Sequence, residues 1–190
     1  MTTTKNTRTT KPKTTPAKRS AAPKSTPKTV QVTKKIELAA NSLVSEILEA
    51  VVQERTKAQK INLLQTHGGD FLKALFIWNY DESVISMIPA GEVPYQPLSE
   101  EAAPDPKKGI PGRTTIRNEW TRFYHFVKGG NDAMNKIKRE SMFINLLESL
   151  HPKEAEIICL VKDKNLQSKY NISKEVVSEA YPDITWGGRS

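Results

Sequence analysis

The chain predicts an all-α fold: a compact bundle of five to seven helices, preceded by a disordered basic N-terminal tail. Three observations predict it. Apolar residues recur at helical spacing in several windows after Ile36, no window alternates as a strand would, and residues 1–34 are mostly Thr, Lys, Pro, Ala and Ser.

In the tail, Pro12, Pro16, Pro23 and Pro27 interrupt any continuous helix, and too little apolar surface is present to offset the entropy of ordering the chain. The texture changes at Ile36. Ile36, Ala40, Leu43, Ile47 and Val51 form one stripe, widened by Val44, Leu48 and Val52, which predicts an amphipathic helix of about 18 residues. A second helix is expected over 57–65, with Ile61 and Leu64 on one side. Gly68 or Gly69 would then supply a left-handed C-cap, and Asp70 would cap the next segment. "FLKALFIWNY" (71–80) is apolar on most sides and belongs at the centre of the core.

Residues 89–112 hold six of the 12 prolines and predict an extended segment over 89–98, pinned by Pro94, Tyr95 and Leu98, then a mobile loop over 99–112. Beyond it, Ile116, Trp120, Phe123 and Val127 fit a helix that "KGG" (128–130) terminates, with Asn131 or Asp132 capping its successor. Met134, Ile137, Ile144, Leu147 and Leu150 mark that successor's buried face. "HPKEAE" starts another helix, with Pro152 in its first turn and Glu154 and Glu156 at the positive end of its dipole. A last helix follows Ser173 and stops at Pro182. The divisions are a tail (1–34), an N-terminal helical lobe (35–88), the proline-rich loop (89–112), a C-terminal helical lobe (113–182) and a C-terminal tail (183–190), with the loop as the candidate divide between lobes.

Charge is unevenly placed. Lys5, Arg8, Lys11, Lys13, Lys18, Arg19, Lys24, Lys28, Lys34 and Lys35 face no acid within residues 1–35. Of 29 Lys and Arg these ten leave 19 against 21 acids, so the net +8 belongs to the tail and the remainder stands at −2. Ten cations on a flexible chain suit phosphates without regard to base sequence. The competing role is a solubilising linker, which needs no such bias. A second cationic candidate is "GRTTIRNEWTRFYHFVK", where Arg113 and Arg117 lie a turn apart, Arg122 and Lys128 extend a rim, and Lys136, Lys138 and Arg139 join from the next helix. Beside Tyr124 such a rim could pair phosphates and stack a base, although helical spacing alone accounts for these aromatics as core.

Other chemistries find little support. The single Cys159 sits in the apolar run "EIICLVKD", where a small buried hydrophobe is expected. His67 and His151 read as turn or cap residues, and His125 could line a groove. No His/Cys/Asp spacing suits a metal, so no metal and no cofactor are expected. "HGGD" and "KGGND" lack the rest of a phosphate loop. The pairs Asp81–Glu82 and Glu100–Glu101 are expected to be solvated. No apolar run is long enough to cross a membrane, and none near Met1 resembles a secretory signal.

Three stretches, "QKINLLQTHGGDFLKALFIWNYDESVISMIPAGEVPYQP" (59–97), "FYHFVKGG" (123–130) and "LLESLHPKEAEIICLVKDKNLQSKYNISKEVVSEAYP" (146–182), resemble a family of small tailed-phage proteins classed as a domain of unknown function. The resemblance spans most of residues 56–182 and none of the tail. It implies a compact helical domain in an infected host's cytoplasm, and brings no assigned activity, cofactor or catalytic residue. The expectation is a non-enzymatic phage accessory protein that docks on a phage or host protein and binds DNA or RNA through its tail. The alternatives are a virion structural or assembly protein whose helices self-associate, and a small phage enzyme.

Overall fold

The computed structural model describes residues 38–99 and 113–189. The basic tail and the segment 100–112 lie outside these residues, and with them the ten tail cations. Among the described residues the chain is helical throughout, without strands: α1 (Val44–Gln53), α2 (Lys57–His67), α3 (Asp70–Tyr80), α4 (Ile116–Glu119), a 3-10 helix (Trp120–Phe126), α5 (Lys136–Ser149), α6 (Pro152–Lys162), α7 (Leu166–Tyr170) and α8 (Lys174–Ala180). The all-α prediction holds. The elements that exceed the expected number are short, such as the four-residue α4 and the five-residue α7.

Residues on both sides of the proline-rich loop contribute to one hydrophobic core. α3 lies at its centre, supplying Leu72, Leu75, Phe76 and Trp78. α3 packs on α6 and on the 3-10 helix, α1 on α2 and α6, and α2 on α8. The start of the proline-rich segment is fastened by Lys162, whose buried ammonium donates to the carbonyls of Pro89 (3.1 Å) and Gly91 (2.7 Å) and pairs with Asp163 (2.7 Å).

Three local expectations fail for identifiable reasons. α1 starts at Val44 rather than near Ile36, because its first N–H groups are taken by carboxylates. Leu43 N–H donates to Glu46 (3.0 Å) and Val44 N–H to Glu154 (2.8 Å), while residues 38–43 form a turn and extended chain. α5 is capped by Asn135, whose side chain accepts from Lys138 N–H at 3.2 Å, not by Asn131 or Asp132. Its buried face is Arg139, Phe143, Leu146 and Leu147, and Ile137, expected inside, is 73 % exposed.

Gly68 ends α2 with φ −84°, so left-handed geometry is not what requires glycine there. Space is. A Cβ on Gly68 would stand 1.9 Å from the Tyr181 hydroxyl and 2.2 Å from the Leu64 carbonyl, two groups that hydrogen-bond each other at 2.8 Å. Gly68→Ala is expected to lower stability by about 2 kcal/mol through this overpacking, readable as a shift in the urea midpoint at unchanged m-value.

Candidate nucleic-acid interface

The segment after Thr115 begins as one α-helical turn and tightens into the 3-10 helix. The change of period decides which side chains face out. Three residues per turn align Trp120, Phe123 and Phe126, so Phe123 and Phe126 are buried and Trp120 half-buried. Phe126 packs on Trp78 and edge-on against Phe143, at ring separations of 6.1 and 5.2 Å. Tyr124 is turned outward, 49 % exposed, with its ring 3.9 Å from that of His125. The predicted single α-helix would have set Val127 in line with Trp120. Instead Val127 forms an isolated antiparallel bridge to Ser86, closed by Met87 N–H to the Phe126 carbonyl (2.8 Å) and Lys128 N–H to the Ile85 carbonyl (2.9 Å).

The two glycines after Lys128 shape the turn behind Tyr124. Gly129 has φ +82°, and a Cβ on Gly130 would lie 2.0 Å from the Tyr124 carbonyl oxygen. Gly129 N–H donates to Asp132 at 2.9 Å. Gly129 thus serves a left-handed turn and Gly130 close backbone packing, and neither ends an α-helix.

The structure divides the expected basic rim. Arg113, Arg122 and Lys138 share a surface groove of about 420 Å³ with Thr114, Ser141 and Asn145. Its acid is Glu119, which accepts from Arg122 (2.8 Å) and from the Thr114 hydroxyl (2.8 Å), so part of the Arg122 charge is answered internally. Lys128 is exposed, and with Tyr124 it lines a second, mainly apolar depression of about 330 Å³ whose wall includes Trp78 and Phe123.

Two rim residues belong elsewhere. Arg117 lies with its guanidinium 4.2 Å above the Phe71 ring and reaches the Ser42 carbonyl, covering the core. Arg139 is buried and donates to the carbonyls of His125 (2.8 Å), Asn131 (2.8 Å) and Met134 (3.1 Å), tying the chain before α5 to the 3-10 helix. Lys136 is paired across one turn with Glu140 at 3.7 Å. What the sequence reading missed is that Ser141 and Asn145 continue a polar stripe from Lys138 along α5, whose i, i+3, i+7 spacing opposite Phe143 and Leu147 was the available signal.

A family model matches residues 47–168, well over half of the chain. The chain belongs to DUF6433, a family of unknown function. No curated protein and no solved structure matches it. The family match takes in the first groove of this DUF6433 chain and all of the second but Arg189, and leaves out the basic tail.

Electrostatics around the 3-10 helix are positive. The Asn131 side-chain amide donates to His125 Nδ1 (3.0 Å), which leaves the ring proton on Nε2. Burial, then the charges of Arg122, Arg139 and Lys138, hold the His125 pKa below its ordinary value, so the imidazole stays neutral at neutral pH. Away from this face, burial pushes the half-buried Cys159 thiol up to about 11, far from a reactive thiolate. Asp81, expected in solvent, is buried. Its carboxylate accepts from Ser83 N–H (2.9 Å) and hydroxyl (2.7 Å), from Gly187 N–H (2.9 Å) and from Arg189 (2.6 Å).

Proposed function

We propose that this DUF6433 chain is a non-enzymatic accessory protein that binds DNA or RNA without base preference, through its basic tail, and docks its helical domain on a protein partner. The observation that carries this reading is the charge partition: ten cations and no acid in residues 1–35, against a remainder at −2. The exposed cations Arg113, Arg122 and Lys128 around the 3-10 helix add to it. The histidines are compatible with a binding role, His125 being held by Asn131 and His151 capping α6. The resemblance to tailed-phage proteins supports an infected host's cytoplasm as the setting, with packaging in the virion as an extension of the same chemistry.

Engagement of all ten tail cations on duplex DNA would give a slope of log K against log salt of roughly −9, and engagement of about half a slope nearer −4 or −5. The full chain is expected to fall in the second range in filter-binding titrations. A full-length variant with the ten cations replaced by Gln should lose most of that slope while keeping its helical circular dichroism. Unchanged retention of DNA by that variant would refute the tail as the binding element.

A further inference from the structure

A neutral tether would not need an exposed aromatic ring near surface cations, yet the folded domain presents one. Tyr124 is the most exposed ring of the 3-10 helix, whose remaining phenylalanines are in the core. Its footing is firm: Phe123 and Phe126 beneath it pack on Trp78, and Gly130 presses on its backbone. Lys128 shares a depression with Tyr124 itself, and Arg113, Arg122 and Lys138 line a separate groove. His125, whose ring lies 3.9 Å from that of Tyr124, is within electrostatic reach of Arg122 and Lys138 of that groove. The exposed ring thus neighbours Lys128 directly and the groove cations through His125.

We propose that this face is a track for single-stranded nucleic acid, with one unpaired base stacked on Tyr124 and neighbouring phosphates held by Lys128 and by Arg113, Arg122 and Lys138. The proposal rests on the nucleic-acid reading above and deepens it. The tail contributes attraction that does not distinguish duplex from single strand. The track adds a contact open only to a base released from its pair, since the faces of paired bases are already stacked within the duplex. The polar stripe of Ser141 and Asn145 in the groove suits sugar and phosphate oxygens. An acidic protein segment would match the cations but leave the ring without a planar partner.

The test uses the full chain and fluorescence anisotropy with two probes, a short oligothymidylate and a duplex carrying the same number of phosphates. Tyr124→Ala is expected to weaken the single-strand probe at least fivefold, the lower end of one base–aromatic stack, and to leave duplex binding unchanged. Tyr124→Phe should retain wild-type affinity, because the ring and not the hydroxyl stacks. Lys138→Gln, at an exposed position, should flatten the single-strand salt slope by about 0.7. If Tyr124→Ala changes neither probe or both equally while the tail variant still loses binding, the track is wrong and the tail reading stands. If the tail variant binds both probes like wild type, the tail reading fails by itself. Displacement of oligothymidylate by polyglutamate as effectively as by unlabelled oligothymidylate would overturn the track in favour of an acidic protein surface.

Discussion

Glu154→Ala is expected to cost about 3 to 5 kcal/mol, since each of the two buried N–H groups it leaves without an acceptor costs about 1 to 3 kcal/mol. Glu154 is fully buried, and its two carboxylate oxygens accept from the first N–H groups of two other helices, Val44 of α1 at 2.8 Å and Ile116 of α4 at 3.0 Å. Removing the side chain orphans both donors in a dry interior. For a chain of this size, thermal melts should show a drop of roughly 6 to 20 °C. A pH dependence accompanies this. Burial raises the carboxyl to about 7, while the bonds from Ile116 and Val44 and the charge of Arg117 pull the other way. A carboxyl raised above its unfolded value of 4.5 binds its proton more tightly in the folded state. Its contribution is therefore largest below pH 4.5 and is lost as pH rises to about 7, by roughly 3 kcal/mol. In Glu154→Gln the amide oxygen can serve only one of the two N–H groups, so stability falls, and this slope between pH 4.5 and 7 should vanish. Persistence of the slope in that variant would assign it to another group.

Asp81→Ala is expected to cost about 3 kcal/mol and to free the chain from Gly187 onward. The Asp81 carboxylate holds Gly187 and Arg189, while Trp186 Nε1 donates to the Ser178 hydroxyl at 3.1 Å and Lys174 lies 4.9 Å above the Trp186 ring. Burial alone would raise the Asp81 pKa, but hydrogen bonds from the Ser83 hydroxyl, from the Gly187 and Ser83 amides and from Arg189 outweigh it and bring it to about 2. The carboxylate's contribution is accordingly full above pH 3.8 and is lost as pH falls through 2. The two buried carboxyls thus act in separate pH windows with opposite sign. Hydrogen exchange at the Gly187 amide is the direct measurement: it should accelerate in Asp81→Ala under conditions where α3 stays protected. Equal acceleration across α3 would mean global destabilisation without release of the strap.

Much of the helical architecture was legible because it is written in local patterns. α2 and α6 lie where spacing and Pro152 placed them, and "FLKALFIWNY" is indeed the central helix. The misses occur where a distant group decides. Glu154 looked like a charge serving its own helix dipole, yet it completes two others, which no local window contains. Arg139 looked like rim and Ile137 like core, and the carbonyls before α5 reverse them by drawing the guanidinium inward. For the interface, residue types were readable but grouping was not. Arg113, Arg122, Lys128 and Tyr124 stay at the surface, whereas Arg117 is used against Phe71, a choice fixed by where α3 packs. The 3-10 period that turns Tyr124 outward cannot be told from an α-helical one over so few residues.

The bond from Val44 to Glu154 spans 110 positions. During synthesis, at about 5 to 20 residues per second, the ribosome needs roughly 5 to 20 s after making Val44 before it makes the carboxylate. Throughout that delay α1 stays uncapped by Glu154 and lacks α6 as a cover for its apolar side. A helix made early is thus among the last to be finished, and a nascent chain would look to chaperones like a client until its closing third arrives.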